Sequence, residues 1–207
     1  MIVEIIIVIT VIVISMTLHE AAHGYVAYWL GDHLAKVNGR LTLNPLKHID
    51  PIMSLALPLL LALAHMPIFG GAKPVPINPS SIKWGNMGVA CVAIAGPLVN
   101  FILAYISFSV LYYANPSAGT LLHTCLFYAM SVNLGFCVFN MLPIPPLDGS
   151  RILYAFAPEF VQKFMEQMER YGIYVVMVLV LIFGSFLSTI MSGAIYAILN
   201  LFYKLVF

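Results

Sequence analysis

Long apolar runs separated by short polar stretches dominate the chain. Ile2 to about Leu30 is apolar, with histidine, glutamate and glycine in its C-terminal half. At about 1.5 Å per residue this run can cross roughly 30 Å of hydrocarbon, so a first transmembrane helix is expected, ended by Gly31 and Asp32. The residues up to Asp50 are the most polar of the chain and include Lys36, Arg40 and Lys47. Within them Gly39 to Asn44 alternates polar and apolar, the pattern of a half-buried strand. Pro51 to Phe69 is apolar again, but Pro51, Pro58 and Pro67 interrupt it. Each proline removes a backbone donor that lipid cannot replace, which predicts a broken or re-entrant segment. Gly70 to Trp84 reads as an irregular loop. Gly85 to about Tyr113 and Leu121 to Leu142 predict a helical hairpin joined by the turn-rich Ala114 to Ser117. Ser150 to Arg170 is more polar and has the pattern of an interfacial amphipathic helix. Tyr171 to Leu187 and Ser188 to Leu205 give one long or two short closing spans around Gly184 and Gly193.

Composition strengthens the membrane reading. Hydrophobic residues make up 62% of the 207 and charged residues 8%, where a soluble domain carries about 25% charged residues. Such a chain cannot cover its surface with polar groups, so lipid is the expected solvent for much of it. The net charge of +1, with no basic cluster, lacks the electrostatic footprint of a nucleic-acid binder. Cys91, Cys125 and Cys137 lie in apolar stretches without C-x-x-C spacing and read as packing residues. The N-terminal run has no positive leader and no small-residue cleavage site, so it is expected to be retained.

The first helix also carries chemistry. His19-Glu20-Ala21-Ala22-His23 matches H-E-x-x-H, which on a helix sets the imidazoles one turn apart on one face, where they can share a Zn²⁺ ion. Glu20 stands beside them as a candidate general base for an attacking water. In random order, the chain's six histidines and five glutamates would produce the motif about 0.004 times. Three ionisable groups within a spanning helix are costly and mark a functional site rather than helix-to-helix hydrogen bonding. A catalytic zinc takes a third protein ligand. Asp32, His33 and Asp50 in the first polar loop are candidates, and so is Asp148, which follows a proline-rich bend and precedes the permissive Gly149. Glu159, Glu166 and Glu169 read as a solvated face, His33 and His48 as solvated loop groups, His65 as bonded within the broken segment and His123 as a group near a membrane interface.

Three stretches together, His19-Glu20-x-x-His23, Ala95-Gly96-Pro97-Leu98-Val99-Asn100 and Asn140 to Gly149, resemble the successive motifs of the site-2 protease family of intramembrane zinc proteases. The resemblance runs from the first helix to Arg151. The first and last motifs are specific, whereas Gly-Pro-x-x-Asn alone is weak. The Asp-Gly-Gly often seen in the family is Asp148-Gly149-Ser150 here, a departure that leaves the ligand in place. The resemblance implies Asp148 as third zinc ligand and Asn140 as a polar group near the scissile peptide, steadying the oxyanion or the substrate backbone. It leaves Asn100 as helix-to-helix glue, with Gly96 and Pro97 serving close packing.

The expected protein is an all-α polytopic membrane protein of about five to six transmembrane helices, with a re-entrant segment and a short membrane-associated β element. Residues 1–207 form a single integral membrane domain, with a catalytic core of about 1–151 and amphipathic and transmembrane helices over 152–207. No segment between the motifs is long enough for a peptide-binding domain of the PDZ type, which makes this a minimal member. The expected activity is zinc-dependent endopeptidase cleavage of transmembrane or membrane-tethered proteins in contact with the lipid bilayer. A transporter or channel with a structural metal site, or an inactive scaffold, are the rival classes; neither gives a reason for H-E-x-x-H together with a distant Asp-Gly. Lysine and arginine are absent before the first helix and follow it closely, which predicts an external N-terminus, a cytoplasmic Asp32 to Asp50 loop and an active site towards the cytoplasmic side; a minimal core without a targeting peptide fits a prokaryotic cell membrane. A common depth for His19 and Asp148 then requires Pro51 to Phe69 to re-enter. The Gly39 to Asn44 strand is expected to pair with substrate drawn into extended form.

Overall fold

Unbroken apolar sequence carries helix α1 over Ile2–Trp29. It ends in a Schellman-type turn: Gly31 takes φ +106° and the Asp32 N–H donates to the Ala27 carbonyl at 2.9 Å. The chain, seen as a computed structural model that describes residues 2–50 and 73–206, continues through a short α2 (Leu34–Val37). After an irregular loop come α3 (Asn86–Ala114), α4 (Leu121–Asn140), α5 (Asp148–Phe156), α6 (Glu159–Arg170) and α7 (Gly172–Val206). Asn115 at φ +38° closes α3, and the Thr120 hydroxyl caps α4 by accepting from the His123 N–H at 3.3 Å.

Among the described residues four helices are long and apolar enough to cross a membrane: Ile2–Trp29, Asn86–Ala114, Leu121–Asn140 and Tyr174–Val206. Their outer faces, for instance Ile6, Ile9, Ile102, Ile106 and Phe186, stay exposed and apolar, as lipid-facing surfaces must. Residues 172–206 give one of the two expected closing arrangements, a single long span kinked where Phe183 leaves helical φ/ψ. The expected re-entrant segment, Pro51 to Phe69, lies outside the described residues. Its flanks touch each other: the Lys73 N–H donates to the His48 carbonyl at 2.8 Å.

The expected strand over Gly39 to Asn44 is instead a loop of turns and bends, and no strand occurs among the described residues. Alternation misled because it is the polar Arg40 that turns inward, 8% exposed, while Leu43 faces out at 57%. The Arg40 guanidinium binds the carbonyls of Lys47, Lys73 (2.6 Å) and Pro74 (3.3 Å), tying the first polar loop to residues 73–75. His48, expected as a solvated loop group, is buried, its Nε2 against the Thr42 carbonyl at 2.8 Å. The amphipathic stretch forms two helices, because Pro158 cannot continue α5.

Helix α3 is the hub of the fold, packing on α1, α4, α5 and α7. Small residues along it, among them Gly88, Ala93, Gly96 and Ala104, bring its neighbours close. One apolar cluster, Ala104, Phe108, Leu134 and Phe202, locks α3 to α4 and α7. A second, Ala27, Ile82 and Val92, pins the loop before α3 onto α1 and α3. Between these clusters the bundle holds its polar interior.

Candidate metal centre

His19 and His23 project from the C-terminal half of α1 into the bundle, 7% and 6% exposed. Each Nδ1 is committed to a group on α3. His23 Nδ1 lies 2.7 Å from the Val92 carbonyl, and His19 Nδ1 lies 2.6 Å from Asn100 Oδ1. Both partners accept, so both Nδ1 atoms carry the proton and both Nε2 atoms present lone pairs. Those Nε2 atoms stand 3.0 Å apart. Between the two anchors, Gly96 leaves room for the rings: a Cβ there would sit 2.5 Å from His23 Nε2 and 2.6 Å from His19 Nε2. Val92, Gly96 and Asn100 are thus spaced by one helical turn each along a single ridge of α3.

Asp148 opens α5, where the helix N-terminus favours a carboxylate. The backbone must turn tightly from Met141 to reach it, and Gly149 allows this, since a Cβ would lie 2.3 Å from the Met141 carbonyl oxygen. Asp148 Oδ2 is 3.1 Å from His19 Nε2 and Oδ1 is 3.4 Å from His23 Nε2. Despite that proximity, Oδ2 is buried and receives no hydrogen bond.

Three acceptor atoms from His19, His23 and Asp148 therefore converge, all within 4.8 Å of one another. Lone pairs and a carboxylate brought together in a buried site repel unless a cation stands between them. Two imidazole nitrogens and one carboxylate oxygen, with room for a further ligand, are a donor set suited to zinc. The residues present fit that ion.

The site opens onto a cavity of about 180 Å³ lined by Glu20, Val75, Ile77, Asn140, Pro146 and Arg151 among others. Glu20 Oε2 accepts from the Val75 N–H at 2.9 Å, which anchors the carboxylate to the loop that Arg40 holds. Asn140 lines the same cavity, with its Nδ2 donating to the Phe136 carbonyl at 3.0 Å. The other sequence candidates for a ligand fall away from the centre. Asp32 caps the Leu34 N–H at 2.9 Å and receives the Asn78 N–H at 2.6 Å, a purely structural clasp. Glu166 and Glu169, expected on a solvated face, pair with Tyr154 and Arg151 on the surface. Sequence reasoning missed Val75, whose contribution is a backbone amide, and Gly96 and Asn100 as supports of the imidazoles.

The sequence model described as Peptidase family M50 matches residues 115–184, which include Asn140 and Asp148. The candidate zinc metalloprotease YwhC of Bacillus subtilis is 41% identical over 175 residues, covering 81% of this chain and 77% of that protein. The candidate zinc metalloprotease Rip2 of Mycolicibacterium smegmatis is 30% identical over 81% of this chain and 63% of its own length. Rip2 of Mycobacterium tuberculosis H37Rv is 29% identical over 91% of this chain and 71% of its own length. No solved structure matches the chain.

Proposed function

Because the chain belongs to peptidase family M50, a zinc-dependent family of metalloproteases, we propose that it is an intramembrane endopeptidase of the site-2 type, cleaving transmembrane or membrane-tethered proteins. The observation that carries the proposal is the convergence of Asp148, at the start of α5, on His19 and His23 beside Glu20 on α1, a helix apolar enough to span a bilayer. In this reading His19, His23 and Asp148 hold the zinc. When bound there, the ion supplies Lewis-acid polarisation of a carbonyl and makes water acidic near neutral pH.

The chain's own residues do the rest. Glu20, fixed through Oε2 by the Val75 amide, takes a proton from the attacking water and passes it to the leaving amine. Asn140 has one amide hydrogen occupied by Phe136; the second is available to an oxygen in the cavity, in keeping with oxyanion or substrate-backbone binding. Pro74, Val75, Ile77 and Pro146 form apolar walls that lower the local dielectric and strengthen these interactions. Contact between His48 and Lys73 supports placing both polar loops on one face of the membrane, on the cytoplasmic side by their lysines and arginine. Residues 1–207 then act as one membrane domain, with 152–207 as its amphipathic and spanning supplement.

The test is to compare membrane proteomes of cells expressing the natural chain and Glu20→Gln. Uncut membrane-protein precursors should accumulate with Glu20→Gln alone. Equal proteolysis by the two purified proteins would exclude Glu20 as the base.

A further inference from the structure

A chain of buried amides leads away from the metal centre. Asn100, which meets His19 Nδ1 through Oδ1 at 2.6 Å, donates from Nδ2 to Asn133 Oδ1 on α4 at 2.8 Å. Asn133 Nδ2 in turn donates to Ser15 Oγ on α1 at 2.9 Å and to the Ala129 carbonyl at 2.8 Å. Asn100 is 0% exposed, and Asn133 and Ser15 are each 2% exposed. Polar groups this deep in spanning helices are expensive to keep.

The chain has a direction. The Ala129 carbonyl can only accept, so the NH₂ of Asn133 must face it and Oδ1 must face Asn100. That oxygen demands the NH₂ of Asn100, which turns Asn100 Oδ1 towards His19. His19 must then hold its proton on Nδ1 and leave Nε2 bare. A flip of either amide would set oxygen against oxygen in a buried site, at a cost of a missing hydrogen bond and a repulsion.

We infer that Asn133 is a positioning residue for the metal centre: through Asn100 it fixes the tautomer and orientation of the His19 imidazole from the far side of the bundle. The inference rests on the reading that His19 binds zinc through Nε2. His23 needs no such device, because a backbone carbonyl fixes it directly. The alternative is that Asn133 only glues α3, α4 and α1 together. The two accounts differ in what a substitution does to His19.

Two variants separate them in the full-length protein, purified in detergent. Asn133→Leu keeps a bulky buried side chain but offers Asn100 no acceptor, so the Asn100 amide is free to turn. Asn133→Asp keeps the acceptor in either protonation state and, when protonated, also a donor for Ala129 or Ser15. Zn²⁺ affinity, measured by chelator competition, should weaken about 10- to 100-fold in Asn133→Leu and stay within about threefold of wild type in Asn133→Asp. Nitrogen NMR of the labelled, metal-free imidazole should show the Nδ1–H form of His19 in wild type and Asn133→Asp, and a mixture of tautomers in Asn133→Leu. Equal loss in both variants, or none in either, overturns the inference. His19→Ala serves as the control: if it binds zinc as tightly as wild type, the metal-centre reading itself fails, which is a different result from wild-type affinity in Asn133→Leu.

Discussion

Replacing Gly96 with alanine puts the metal site under a calculable load. The new methyl would lie 2.5 Å from His23 Nε2 and 2.6 Å from both Cε1 and Nε2 of His19. Comfortable contact for such atoms begins at about 3.5 Å, so the rings and the helix must separate by about 1 Å. Metal–ligand distances tolerate only about 0.2 Å, and His19 and His23 cannot slide freely because Asn100 and Val92 hold their Nδ1 atoms. We expect Gly96→Ala to weaken zinc binding at least about tenfold, or roughly 1.4 kcal/mol, with overpacking costing a further 1–3 kcal/mol or so of stability. The assay is zinc content by elemental analysis and chelator competition on detergent-purified protein, beside a melting curve. Gly135→Ala on α4 is the matched control, since nothing lies within 4 Å of its added methyl; it should keep wild-type zinc affinity and gain slightly in helix stability. Wild-type zinc affinity in Gly96→Ala would refute the placement of both imidazoles over that residue.

Other outcomes follow from the same geometry. Glu20→Gln should keep its zinc while proteolysis of a membrane substrate falls by about 10²- to 10⁴-fold, read by gel assay. Asp148→Asn, which replaces an ionised ligand by a neutral amide, should lose zinc while circular dichroism reports an intact helical fold. Incubation with a strong chelator should abolish cleavage, and stoichiometric zinc should restore it; activity that survives complete zinc removal would exclude the mechanism. Arg40→Lys, which cannot span the carbonyls of Lys47, Lys73 and Pro74 with a single ammonium, should loosen the loop that holds Glu20 and lower activity about tenfold without changing zinc content.

Of the proposed ligands, His19 and His23 were legible because H-E-x-x-H encodes a shared helical face, whereas Asp148 stood among several candidates until the resemblance of Asn140 to Gly149 to the site-2 protease motifs singled it out. The supports were not readable, because each joins residues far apart in sequence through a group with little identity of its own. Val75 reaches Glu20 by a backbone amide, and Gly96 contributes only the absence of a methyl. Asn100 and Asn133 are polar residues in apolar runs, a visible oddity, yet nothing local reveals that they meet. Apolar run length foresaw the helices of 28, 29 and 20 residues in α1, α3 and α4. Period-two alternation over Gly39 to Asn44 failed because a charged side chain, Arg40, found buried carbonyls to bind and turned the segment inward.

The ridge of Val92, Gly96 and Asn100 on α3 behaves as a ruler with three marks. It secures His23, admits both rings and secures His19. A helix cannot be read between its marks: one residue inserted beside Gly96 rotates everything beyond it by about 100°. Substitutions on the lipid side of α3, at Ile94, Leu98 or Ile102, leave every mark in place. An insertion or deletion within this stretch of α3 therefore displaces the contacts of both imidazoles at once, whereas the exposed outer face can change without touching them.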